Sequence, residues 1–158
     1  MLLYHASMFD TDVLKPAFNI TGETVMWDET ESNHYLYATT HREDAVDQGF
    51  FSCFEKLANI DKIHSEHNKI EVTCSSVEDV EKLNKAIEEL TVCVYCIEFD
   101  HRWIKVSNKV NGLRDEYKTH SFIRSFKEKS KVSFKDWSKR KTISIKADLP
   151  TPAFLSWK

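Results

Sequence analysis

Apolar residues recur along this chain with two periods. Ala45, Val46, Gly49, Phe50, Cys53, Phe54, Leu57 and Ala58 fall at spacings of three and four, which predicts a helix over about 41–58 with one apolar face. The run THRE at 40–43 fits a capping box, with Thr40 as N-cap and Glu43 reaching back to its amide. Val77, Val80, Leu83, Ile87 and Leu90 mark a second helix over 77–90, opened by SSVED. Other stretches alternate with period two or are apolar and β-branched. Leu2–Ser7, His34–Thr39 and Lys69–Cys74 read as strands, and TVCVYCIEF at 91–99 reads as a central one. Residues 102–106 are expected to return against it through a tight turn at Asp100–His101. Glu116–Ile123, Lys131–Phe134 and Thr142–Lys146 are further strand candidates. Residues 17–34 hold Gly22, three Thr and several acids, and read as an exposed loop. Mixed strands and helices without a repeat or linker predict a single α+β domain over 1–158, with a largely antiparallel, split sheet.

Composition narrows the function classes. Three Gly in 158 residues leave no GxGxxG or Walker-type run, so a Gly-rich phosphate loop is excluded. The apolar run Leu2–Tyr4 is too short for a signal peptide or a membrane span, which predicts a cytoplasmic protein with no membrane partner and reduced thiols. Cys53, Cys74, Cys93 and Cys96 each sit in an apolar segment and read as small core residues. The spacing of Cys93 and Cys96 sends them to opposite faces of a strand, against both redox and zinc chemistry. His64 and His67, in IHSEH, read as solvated surface, and no metal is expected. A paired HxS/T phosphoesterase fails on count, because HAS at 5–7 has no second copy; a nucleophile elbow is also absent.

Charge divides the chain. Residues 1–101 carry 7 Lys/Arg against 20 Asp/Glu, and residues 102–158 carry 15 against 5. Such a split provides either a basic surface for an anionic partner or two halves that attract each other in the fold. The stretch SFKEKSKVSFKDWSKRKTISIK interleaves Lys and Arg with Phe and Trp. It fits nucleic-acid contact, and equally a solvated basic face with Phe134 and Trp137 turned inward.

Two stretches carry a resemblance. LLYHAS at 2–7 resembles the first motif of the diphtheria-toxin-like ADP-ribosyltransferases, a strand ending in HG(S/T). YLYATTHREDAV at 35–46 is similar to their second motif, a strand carrying Tyr, then a small residue and a helix. Small bacterial and phage-type domains of this kind also begin YHAS…LKP with a later YxYAT. The resemblance covers roughly residues 2–54 and implies an ADP-ribosyltransferase-like fold that binds NAD or a related nucleotide. It further implies that His5 holds the adenosine-side ribose, that the small residue after it, Ala6, offers backbone groups to the nicotinamide amide, that Ser7 completes this cofactor-binding motif, and that Tyr37 stacks on the nicotinamide ring. A later Glu at the start of a strand would orient the other ribose and stabilise an oxocarbenium-like transition state. Glu116 is the first candidate for that role and Glu98 the second. Ala6 departs from the Gly usual at its position. If active, the domain would transfer ADP-ribose to a protein or nucleic-acid acceptor. The alternatives are a non-catalytic phage-type accessory protein of the same fold that binds a host protein, and nucleic-acid binding through 102–146.

Overall fold

Strand propensity and alternation build two sheets, and the structure, a computed structural model, describes residues 1–16, 35–107 and 113–148. In chain order the strands are β1 (Leu2–Ser7), β2 (Leu36–Thr39), β3 (Ile60–Glu66), β4 (Lys69–Cys74), β5 (Thr91–Glu98), β6 (Ile104–Lys105), β7 (Glu116–Thr119), β8 (Glu128–Ser133) and β9 (Thr142–Ala147). The helices are α1 (Arg42–Leu57), α2 (Val77–Ala86) and α3 (Phe134–Ser138), with a 3-10 turn at Ile87–Glu89. The architecture is α+β and mostly antiparallel. The expected loop over 17–34 lies outside the described residues. Contacts divide the chain into two compact units, Met1–Gly49 with Val92–Val132 and Phe50–Thr91 with Ser133–Lys158.

The first unit holds a six-stranded sheet in the order β6-β7-β2-β1-β5-β8. Its centre is β1, paired to β5 from Leu2↔Glu98 to Ser7↔Cys93. Alternation then fixes the faces. On one face Leu3, Leu36, Ala38, Tyr95 and Ile97 are buried together with Leu14, Trp103 and Ile123. On the other, the first half of α1 lies so close to β1 that a Cβ on Gly49 would sit 2.8 Å from the Ala6 Cβ. Residues 104–105 pair with β7 rather than with β5. Trp103 explains this correction: it is 4 % exposed, its amide closes a turn on the Asp100 carbonyl, and the chain past it emerges at the far edge of the sheet. The expected strand 116–123 ends at Thr119, and Ile123 forms a lone bridge with Leu14.

The second unit holds the sheet β3-β4-β9, with β4 and β9 parallel. Ile70, Val72 and Cys74 are buried on one face of β4, and Leu83 of α2 is fully buried. The β3–β4 hairpin turns at His67, which has φ 54°. His64 on β3 and His67 in that turn therefore share no helical face. Ser76 caps α2: its hydroxyl accepts the Asp79 amide at 3.1 Å and donates to Asp79 Oδ2 at 2.7 Å. Phe50 stacks on Trp137 at 4.4 Å, and Phe134 closes on Phe50 edge-on at 6.1 Å. The inward reading of Phe134 and Trp137 is thus the observed one.

Thr40 does not cap α1 as expected. The helix starts at Arg42, and the Thr40 hydroxyl donates to Asp115 Oδ2 at 3.4 Å. Asp115, with φ 46°, also receives His41 Nε2 at 2.9 Å, so a carboxylate distant in sequence holds the side chains that precede α1. Among the described residues, no helix is long and apolar enough to cross a membrane.

Candidate functional site

The ladder between β1 and β2 registers only Tyr4↔Thr39. Beyond it His5 turns its ring toward β2, and Nδ1 meets the Tyr37 carbonyl at 2.7 Å. A carbonyl only accepts, so Nδ1 carries the proton and Nε2 is left as an acceptor. Burial lowers the pKa of His5 and outweighs the opposing effect of that hydrogen bond, so the imidazole is neutral at pH 7.

His5 and Ser7 point to the same face of β1 and line a cavity of about 200 Å³. The segment after β1 supplies the rest of its wall, with Phe9, Thr11, Leu14 and Lys15. Ser7 Oγ accepts the Phe9 amide at 3.1 Å, and Thr11 Oγ1 donates to the Val13 carbonyl at 3.1 Å. Leu14 exchanges both backbone hydrogen bonds with Ile123, at 2.9 Å each. From below, Tyr95 of β5 is directly opposite His5. Its hydroxyl accepts the Thr11 amide at 2.9 Å and donates to the Phe9 carbonyl at 2.7 Å. The wall is therefore built from a hydroxyl-rich turn, an apolar floor and one lysine, and all of it belongs to the first unit.

The remaining site candidates lie elsewhere. Register places Tyr37 opposite Lys118 and Thr39 opposite Glu116, while Tyr4 opposes Thr39. Tyr37, Glu116 and Tyr4 therefore share one face of the sheet, with Ala6, and His5 and Ser7 take the other. Tyr37 lies beside Tyr35 at 6.3 Å, and Tyr35 packs tilted against His120 at 4.0 Å. Glu116 is 1 % exposed under that face. Glu98 opposes Leu2, at the other end of β1 from Ser7, and pairs with Lys127 at 3.3 Å. Ala6 turns toward Gly49 of α1, so its methyl fills the helix–sheet contact and not the cavity.

Among family models, curated proteins and solved structures, nothing matches this chain.

The cavity formed by the described residues is too small to enclose a whole dinucleotide. Pockets that bury a drug-sized ligand run to about 300–1,000 Å³, so 200 Å³ admits one ring with its sugar. The lining fits such a moiety: His5 Nε2 and the Ser7 hydroxyl suit ribose hydroxyls, and Lys15 suits a phosphate. The residues do not fit a transferase set, because Tyr37 and Glu116 are on the far face.

The later, basic half is partly neutralised. Asp10 receives Lys129 at 2.7 Å and Lys131 at 3.4 Å, and Asp44 receives Arg114 at 2.9 Å. Each pair joins an acid from the first 101 residues to a base from the rest. Mutual attraction within the fold thus accounts for these charges.

Proposed function

We propose that this is a cytoplasmic ADP-ribosyltransferase-like domain that binds one moiety of NAD or a related nucleotide, and that it does so without transfer chemistry. One observation carries the reading. His5 and Ser7, the polar residues of the first motif, line a cavity of fitting size, while Glu116 is buried on the opposite face. A neutral imidazole hydrogen-bonds a sugar hydroxyl without bringing a charge into the cavity. Transfer would need a carboxylate beside the developing positive charge, and neither Glu116 nor Glu98 is near His5. The test is a titration of isotope-labelled protein with NAD. Amide shifts confined to His5, Ser7 and the 9–15 segment are expected, and Glu116→Gln is expected to bind equally well. An absence of shifts at millimolar NAD overturns the reading.

A second reading is a phage-type accessory protein that binds a host protein. It draws on the sheet edge, where Ile104 is 54 % exposed on the two-residue strand β6, opposite Lys118 and near the Tyr35–His120 pair. Tyrosine-rich, partly apolar patches are typical of protein interfaces. Capture of a single host protein that is lost on Ile104→Asp supports this reading; no capture overturns it.

A further inference from the structure

We infer that the Tyr95 hydroxyl is the positioning group of the His5 cavity, a latch that holds the turn forming its wall. The inference rests on the reading of that cavity as a ligand site.

Residues 8–13 form no regular element, yet Phe9 and Thr11 shape the cavity. Local bonds curl this segment on itself, and the one from Ser7 ties only the Phe9 amide to the end of β1. Fastening comes from Tyr95, 84 and 86 residues away in sequence, which bonds the backbone of the same two lining residues. The hydroxyl is fully used, with one bond accepted and one donated, and the side chain is fully buried. Its ring is held by Phe126 at 4.8 Å and by the strand neighbour His5 at 6.4 Å. Tyr95 is not itself a wall residue, so it acts on a ligand only through Phe9, Thr11 and His5. A second tie, Lys129 to Asp10 at 2.7 Å and to the Thr11 carbonyl at 3.2 Å, lies on the exposed side of the turn. Exposed ion pairs are weak and screened by salt, whereas a buried hydroxyl bonded twice to backbone is not replaced by water without opening the turn.

Tyr95→Phe removes one oxygen and keeps the ring. Hydrogen exchange of the Thr11 amide is expected to rise at least tenfold, with exchange at Val92 and Val94 changed less than twofold. Affinity for NAD is expected to fall about tenfold with the thermal midpoint lowered by a few degrees at most, and Lys129→Ala is expected to lose less than threefold. Unchanged Thr11 exchange overturns the latch, and so does faster exchange with full NAD affinity. If the wild-type protein does not bind NAD, the nucleotide reading fails on its own. The latch is then decided by exchange and by whether the His5 and Ser7 signals move in Tyr95→Phe. Should that variant unfold, the wild-type protein decides: a Thr11 amide protected like those of β1 supports the latch, and one exchanging at the rate of a free loop overturns it.

Discussion

His5 is kept neutral by burial, and that has a consequence for stability. Its pKa lies below the ordinary 6.5, so the unfolded chain binds more protons than the folded one as pH falls through that value. Stability contributed by neutral His5 is fully present above about pH 6.5 and is lost below it. Urea unfolding at pH 7.5, 6 and 5 is expected to show the midpoint dropping with pH. His5→Asn keeps a donor for the Tyr37 carbonyl and cannot titrate, so its profile over this range is expected to be flatter; parallel profiles contradict the assignment. At this scale the sequence was partly legible. A histidine and a serine inside an apolar strand stand out, and both line the cavity. Tyr37 stands out equally, but whether two residues on different strands share a face depends on register, and a one-residue slip reverses it. Tyr95 gave no signal in a nearly continuous apolar run, because its partners lie more than 80 residues away.

Packing between elements turns on Gly49. At 2.8 Å from Ala6, an added methyl cannot be absorbed by rotation, since both Cβ atoms are fixed to backbone. Helix propensity favours Gly49→Ala by about 1 kcal/mol, and overpacking costs about 1–3 kcal/mol, so a net loss of up to about 2 kcal/mol is expected. Ala6→Gly in the same chain is expected to recover part of it, and additive losses in a double-mutant cycle would show that the two positions do not meet. Both long helices were readable because bulky residues repeating every 3.6 positions share one face only when the backbone is helical. Residues 102–106 misled because adjacency in sequence favours a hairpin, while burial of Trp103 carried the chain across to β7. The capping box at Thr40 was a local expectation as well: the helix begins at Arg42, and the Thr40 hydroxyl is turned to Asp115, 75 residues away.

Across the whole molecule, carboxylates tie the acidic and basic parts of the sequence together. Hydrogen bonding from Lys129 holds the Asp10 carboxyl below its usual value, and Ser76 and the Asn59 amide do the same for Asp79. Burial alone would raise Asp44, but its bonds to Arg114 outweigh that and lower it. Groups depressed on folding contribute stability above about pH 3.8, and that contribution disappears as they protonate. Acid titration followed by circular dichroism is expected to show a second loss of stability below pH 4, distinct from the His5 step and smaller at high salt for the exposed pairs. A flat response between pH 4.5 and 2.5 would contradict it. The central place of β1 in its sheet also governs how the chain is made. The six-residue partner of β1 is β5, and β7, which flanks β2, comes later still. At ordinary translation speeds about 90 residues take on the order of ten seconds. For that interval β1 has no β5 to pair with, and Trp103 and Ile123, which bury Leu3, Leu36 and Ala38, are made later still, so the first strand is a ready template for another chain. A product truncated before residue 91 is therefore expected to aggregate, which light scattering checks.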